Sequence, residues 1–460
     1  MRGVIMLKNM YEKYKSIWNV TAALFVAFIF LAVLPGCQKD EDPVQTTTED
    51  LVAKYNLQTL GSIPYPADNP PIPERIALGR LLFYDPILGG EQDVACGTCH
   101  HPQFGFSDFR QLPSGTGGFG LGPNRTLGVC ASSGLEVTLT PRNAPSCWNL
   151  AFNTDGSGNP SSNGVMFWDG RISSLEIQAS RPITSRVEMR GDAYGLDDVT
   201  AGNISVTKVI EKLRDIPEYV QLFTVAFPLE ASQHTNNPEM VIDSSTYVRS
   251  IGSFERELVG RYTPYDNFVR GDANALNTIQ KKGLELFFGK AKCSTCHSGA
   301  MFTDFEFVVN GVPQFGPGKP VGNSINGNDD FGREEKTLDP VDRYKFRTPT
   351  LRNVELTAPY MHDGIFGTLE EVVQFYNNGA QPRHSSITDD MLDPVLTTPL
   401  GLTDDEVAAV VEFMRALTDP GVALPSFYLT VPEVVPSGLT PLFGVNDWNI
   451  IGQPVANNNK

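Results

Sequence analysis

The feature that most limits what this chain can fold into is a five-residue pattern that occurs twice, as Cys96-Gly97-Thr98-Cys99-His100 and as Cys293-Ser294-Thr295-Cys296-His297. The copies lie 197 residues apart, the spacing of domains rather than of stacked repeats. Each is preceded by an apolar helical pattern, Gly79 to Tyr84 before the first and Gly283 to Phe288 before the second, so the chain reads as two homologous modules. Two Cys three residues apart reach the two vinyl groups of one haem, and the adjoining His then lies beneath the iron as proximal ligand. A zinc cluster, or a disulfide beside an incidental His, would not repeat this form at domain spacing. The pattern therefore assigns two covalent haem c groups, one on Cys96 and Cys99 with His100, the other on Cys293 and Cys296 with His297.

The N-terminus carries an export signal. Arg2, Lys8, Lys13 and Lys15 precede a run of about fourteen apolar residues, Ala22 to Pro35. A membrane-spanning helix needs about 20 residues, so the run suits a secretory signal better. Leu34-Pro35-Gly36-Cys37 resembles a bacterial lipobox, whose Cys is acylated and becomes the mature N-terminus; the alternative is an uncleaved anchor. Either places the body outside the cytoplasm, where bacteria attach haem covalently. The expected layout is a signal peptide at 1–36, a lipidated Cys37, a tether over 37–60, and a location in the cell envelope as a periplasmic or outer-membrane lipoprotein. With 36 basic and 53 acidic side chains the formal charge is -17, and loss of Arg2, Lys8, Lys13, Lys15 and Glu12 with the signal takes it to -20. That balance argues against nucleic acid as a partner and for a cationic protein.

The 42 Gly and 34 Pro predict a loop-rich chain. Helical spacing runs through 205–230 and 240–260, whereas 111–164 is an irregular excursion rich in Gly, Ser, Asn and Pro. A second Gly-rich stretch covers 305–350, and strand signals are sparse apart from 135–139. Thr403 and Glu406 form a capping box that predicts a helix over Val407–Leu417. The reading is a mainly α protein of two cytochrome-c-like haem domains with long loops, at 61–245 and 246–420, followed by a tail, 421–460, that wraps the surface or stays loose. Cys130 and Cys147 remain in the exported excursion. They are expected to form a disulfide worth about 3 kcal/mol, the alternative being two buried free thiols.

Several further motifs stand in order along the chain: Leu81-Leu82-Phe83-Tyr84-Asp85-Pro86, Phe167-Trp168-Asp169-Gly170-Arg171, Pro182 to Met189, Thr348-Pro349-Thr350-Leu351-Arg352-Asn353, and Thr357 to Gly364. Over roughly residues 65–420 they resemble the bacterial dihaem cytochrome c peroxidase family, which includes the MauG-type enzymes. The resemblance implies that the N-terminal haem reacts with hydrogen peroxide and that Gln178 and Glu188 line its distal side. Heterolysis of an O–O bond needs a base to move a proton between the oxygens and a donor to hold the peroxide, roles that fall to Glu188 and Gln178. Trp168 matches the aromatic between the haems of relatives. Asn143, with the backbone carbonyls of Thr357 and Pro359, matches an interdomain calcium site of hard oxygen ligands.

Two departures carry information. Peroxidases of the family place a His about sixteen residues after the first Cys-x-x-Cys-His, where Ser114-Gly115-Thr116-Gly117-Gly118 stands here, so the first iron is expected to be open to peroxide without reductive activation. At the second haem, Tyr376 occupies the position of an axial Met and matches the MauG-type enzymes; Met361 is the alternative ligand, with His362 close by. A phenolate favours ferric or higher iron, a thioether ferrous iron. The implied function is reduction of hydrogen peroxide with electrons from a small donor such as a monohaem cytochrome c. The alternatives are MauG-like oxidation of a partner protein's side chain and a non-enzymatic dihaem electron carrier. Monomer and homodimer are both left open.

Overall fold

A glycine in the helix before each Cys-x-x-Cys-His segment lets a second helix cross it in backbone contact. In the first module helix Pro73–Tyr84, opened by a proline that needs no donor there, meets helix Ser244–Arg256; a Cβ on Gly79 would lie 1.9 Å from the Ser250 carbonyl oxygen and 3.0 Å from Phe254 Cβ. In the second, helix Thr278–Phe288 meets Asp404–Arg415, and a Cβ on Gly283 would lie 1.9 Å from the Ala409 oxygen and 2.8 Å from Phe413 Cβ. The crossings superpose position by position: Gly79 with Gly283, Ser250 with Ala409, Phe254 with Phe413. Aromatic edges seal both, Phe83 against Phe254 and Phe287 against Phe413, each with ring centroids 5.2 Å apart. Burial of such a ring contributes about 1.5–3 kcal/mol.

The computed structural model describes residues 47–154, 164–317, 329–423 and 426–441. Within them the chain is mainly helical, and its only paired strands are two short antiparallel ribbons, Gly128–Val129 with Glu136–Val137 and Phe307–Val309 with Lys345–Arg347. The expected helical regions hold Asp198–Arg214, Pro217–Ala226 and Ser244–Arg256. The capping box closes as read: Glu406 N–H donates to Thr403 Oγ1 at 3.3 Å and Thr403 N–H to Glu406 Oε2 at 2.9 Å. One core gathers Leu82, Phe83, Leu213, Tyr219, Phe223 and Phe254; a second gathers Leu284, Phe287, Phe302, Val410 and Phe413.

The signal 1–36 and Cys37 are not among the described residues. The stretch expected as tether, 37–60, contains helix Thr48–Tyr55, capped by Thr47, and Leu51 and Leu57 are buried in the second core beside Tyr265 and Phe268. Helix Ser244–Arg256 straddles the boundary read at 245/246 and packs wholly in the first core through Tyr247, Ile251, Phe254 and, just beyond it, Leu258. Over 426–441 the tail takes the wrapped course, one of the two expected: Val431 and Val435 are buried, Arg80 donates to the Thr430 carbonyl, and Ser437 Oγ donates to Asp85 Oδ1 at 2.6 Å.

The expected Cys130–Cys147 disulfide is absent; both are buried free thiols. Cys130 sits at the base of the first ribbon facing Asp192, while Cys147 lies in the first core with Cys96 and Glu255. The excursion is held by guanidinium bonds to main-chain oxygens: Arg125 donates to the carbonyls of Ser114, Gly115 and Gly120 at 2.6, 2.5 and 2.9 Å, and Arg110 to that of Arg125 at 2.6 Å.

Gly283→Ala forces a methyl into the Ala409 carbonyl and is expected to destabilise the protein by about 1–3 kcal/mol. Thermal unfolding followed by circular dichroism checks this; an unchanged Tm would remove the crossing as a constraint.

Candidate active site

Each Cys-x-x-Cys-His segment folds as a single tight turn that throws its His away from the preceding helix. Cys96–Cys99 closes with the His100 N–H on the Cys96 carbonyl at 3.0 Å, and the second turn with the His297 N–H on the Cys293 carbonyl at 2.9 Å. The chain then doubles back. His100 Nδ1 lies 3.0 Å from the Phe106 carbonyl oxygen and His297 Nδ1 lies 3.0 Å from that of Phe302. Such a bond fixes the ring with its proton on Nδ1 and leaves Nε2 as a metal donor. Burial lowers the pKa of both imidazoles and keeps them neutral.

Both His and all four thiols line one cavity of about 630 Å³. Paired thiols, an imidazole held by a carbonyl and a largely apolar wall are the donor set of haem c, and the residues present fit that group at both segments. The same wall includes Gln178, Glu188, Trp168, Asn143, Thr357, Pro359, Met361, His362 and Tyr376, so residues spread over more than 280 positions of sequence converge here.

Gln178 is on the short helix Leu175–Ala179, whose N-terminus is capped by Ser174 Oγ accepting from Ile177 N–H at 3.2 Å. Glu188 is central in a π-helical turn, Arg186–Arg190. Its two ends are pinned by ion pairs, Arg186 with Asp192 at 2.6 Å and the fully buried Arg190 with Asp198. The Ser114–Gly118 stretch braces this turn: Thr116 N–H donates to the Glu188 carbonyl at 2.9 Å. A Cβ on Gly115 would lie 2.2 Å from both the Val187 and Glu188 oxygens, so only glycine lets the strands touch. His101, by contrast, is turned into its own loop, tilted against Phe104 and accepting at Nδ1 from Gln103 N–H at 3.2 Å.

Trp168 is fixed from two sides. Its Nε1–H donates to the Asn143 carbonyl at 2.9 Å, and its own carbonyl accepts from Arg347 N–H at 2.7 Å. The next residue, Asp169, is buried and pairs with Arg142 at 2.6 Å and Arg171 at 2.7 Å, while Arg142 also reaches Asp330 at 2.6 Å. Burial works against the Arg142 charge, but the two carboxylates outweigh it and raise its pKa. Asn143 donates from Nδ2 to the carbonyls of Arg110 and Gln111 at 2.8 and 3.2 Å, an orientation that turns Oδ1 away from them. Among the described residues no group of three or more His, Cys, Asp or Glu side chains is arranged to hold a metal ion; the Asn143 set is amide and peptide oxygen, a different donor class.

Tyr376, on helix Leu369–Asn377, brings its hydroxyl within 4.0 Å of Met361 Sδ, so both candidate ligands stand at one point of the wall. Burial, followed by the nearby Cys296 and Cys293, raises the Tyr376 pKa; a phenolate there needs a cation beside it. His362 stacks on Phe346 with centroids 3.9 Å apart, and burial pushes it down to about 4, so it is neutral.

Three wall residues escaped the sequence reading. Arg352, inside a quoted motif, forms a fully buried bidentate pair with Asp266 at 2.9 Å and ties the motif to the second core. Arg347 donates from Nε to the Phe167 carbonyl at 3.1 Å, and burial lowers its pKa to about 10. Glu255 lies beside Cys96. Only the repeat Phe254-Glu255-Arg256 and Phe413-Met414-Arg415 could have drawn attention to it.

Comparison with known proteins bears on what such a wall does. Residues 73–274 match the family described as Di-haem cytochrome c peroxidase. The chain is 34% identical over 338 residues to the methylamine utilization protein MauG of Methylorubrum extorquens, covering 73% of this chain and 78% of that protein. It is 32% identical over 409 residues to the cytochrome-c peroxidase IdrP1 of Pseudomonas sp. strain SCT, covering 82% and 91%. Among solved structures, a MauG-like protein associated with microbial copper homeostasis aligns with a TM-score of 0.62 at 27% identity, over 81% of this chain and 97% of that one.

Gly115→Ala is expected to push the Glu188 turn out of place and slow the spectral response of the first haem to added peroxide by about 10²-fold, with haem content unchanged. Stopped-flow absorption measures it; a wild-type rate would show that the brace does not position Glu188.

Proposed function

The chain belongs to the di-haem cytochrome c peroxidase family, and on that premise we propose that it reduces hydrogen peroxide to water with electrons from a small donor protein such as a monohaem cytochrome c. The observation that carries this reading is that Gln178 and Glu188, a hydrogen-bond donor and a base, share one cavity wall with both Cys-x-x-Cys-His segments. Bound haem supplies the redox-active iron at which the O–O bond is broken.

The rest is work for side chains. His100 and His297 would offer Nε2 to the haem irons, their rings held by the Phe106 and Phe302 carbonyls. Gln178 Nε2 donates a hydrogen bond that holds the peroxide. A Glu188 carboxylate oxygen takes the proton from the inner peroxide oxygen and returns it to the outer one, which leaves as water; each turnover consumes two electrons and two protons. The Ser114–Gly118 brace carries no His, which supports a first iron that would meet peroxide without reductive activation. Trp168, anchored between Asn143 and Arg347, provides the route by which electrons cross between modules. Asn143 Oδ1 with the Thr357 and Pro359 carbonyls would hold Ca²⁺ across the same junction.

A MauG-like oxidation of a partner protein's side chain is the second reading, supported by Tyr376 on the cavity wall; slow turnover with every small cytochrome donor would favour it. A pure electron carrier would leave the polar pair Gln178 and Glu188 in the cavity without a task, and two low-spin haems unresponsive to peroxide would be its signature. We place the protein in the cell envelope, held by lipid on Cys37. No helix among the described residues is long and apolar enough to cross a membrane.

Glu188→Gln is expected to lower kcat by about 10²–10⁴-fold while haem content and the ferrous spectrum stay constant; undiminished peroxide turnover would remove Glu188 as the base. Tyr376→Phe is expected to change the ferric electron paramagnetic resonance signal of the second haem, and Met361→Leu to leave it alone. The reverse pattern would transfer the axial role to Met361.

A further inference from the structure

At one equivalent position the two modules place different residues, and in the first module that residue faces the cavity. The helix crossings align Ser250 with Ala409 and Phe254 with Phe413, so Glu255 in the first module stands where the second has Met414, and Arg256 where it has Arg415. Glu255 is 5% exposed and lines the cavity, where its charge acts on the Cys96 and Cys147 sulfurs. Buried carboxyls almost always have hydrogen-bond donors. Glu255 Oε2 has none. The adjacent Arg256 does not neutralise it, because Nη2 is engaged with Glu176 at 2.8 Å and Nη1 with the Gly252 carbonyl at 3.2 Å.

We propose that Glu255 is the proton site coupled to the first haem: its carboxylate takes one proton from solvent as that haem gains one electron, and releases it when the electron leaves. The exchange balances charge with charge, and it delivers to the peroxide-reacting module protons that the reaction consumes. Reduction adds a negative charge beside the carboxyl, which disfavours the carboxylate and raises its affinity for a proton. The groups facing it are Glu176 from helix Leu175–Ala179, Cys96 of the attachment turn, Cys147 of the following loop, and Tyr247 and Arg256 of its own helix; Tyr84, on the crossing helix, faces the same two sulfurs. Burial first, and Glu176 second, push the acid up to about 8, with Arg256 acting the other way. An acid in that range exchanges protons near neutral pH, whereas Met414, at the equivalent position of the second module, cannot.

The inference rests on haem attachment at Cys96 and Cys99. Spectroelectrochemical titration of the two-haem protein from about pH 6 to about pH 10, a range that brackets ordinary and raised carboxyl behaviour, tests it. In the wild type the first-haem potential is expected to fall as pH rises, and the second-haem potential to change less. Glu255→Gln keeps the side chain's shape, and Glu255→Met installs the residue that the second module already accommodates; both are expected to abolish the pH dependence of the first haem. A wild-type potential that does not vary with pH, or a dependence that survives in both variants, overturns the proposal. A protein whose mass lacks two haems overturns the attachment beneath it instead, so the two failures are told apart.

Discussion

Backbone contact between paired helices, at Gly79 on Ser250 and Gly283 on Ala409, is the constraint on which the rest of this structure depends. Because no side chain intervenes, each helix pair approaches closely enough for Phe83 and Phe254, or Phe287 and Phe413, to close the core edge to face. That closure sets the direction in which each Cys-x-x-Cys-His turn leaves its helix, and hence where His100 and His297 point. Close packing of this kind tolerates little displacement, so a cofactor bound covalently to the turn inherits the precision of the helix crossing.

The junction between modules is built differently, from buried charge. Arg142 pairs with Asp169 and Asp330, and Trp168 and Asn143 are bonded through main-chain oxygens in the same region. Buried ion pairs contribute little net stability against their desolvation cost but are costly to leave half-made. Such a cluster therefore specifies one arrangement of the excursion, the Trp168 loop and the second module rather than adding much to stability. An electron route and a proposed calcium site both benefit from a junction with a single geometry.

Within one repeated scaffold the modules diverge at a few positions, and those positions bear the chemistry. Tyr84 and Glu255 in the first correspond to Phe288 and Met414 in the second, while Tyr376 and Met361 belong to the second alone. Polar, protonatable groups gather at the module proposed to handle peroxide. Helix Leu369–Asn377 of the second carries Tyr376, the proposed axial ligand. Functional asymmetry thus arises from side chains placed on equivalent backbones, with the cores unchanged.

The sequence alone determined what is local or written in a motif: the two attachment segments, the helix at Thr403–Glu406, the mainly α class, and Gln178, Glu188 and Trp168 as cavity candidates. It failed where the answer depended on which distant segments meet. Cys130 and Cys147 share one long excursion, yet Arg110 and Arg125 shape that loop and leave the thiols in separate environments. Thr48–Tyr55, Val431 and Val435 look polar or loose in their own neighbourhoods and become ordered only because cores far along the chain offer them apolar surface to bury. Glu255 reads as one more surface acid. Only tertiary structure, by turning its helix face toward the cavity and engaging the Arg256 Nη atoms elsewhere, left its Oε2 buried without a hydrogen-bond donor, because burial and pairing belong to the assembled core and not to the residue.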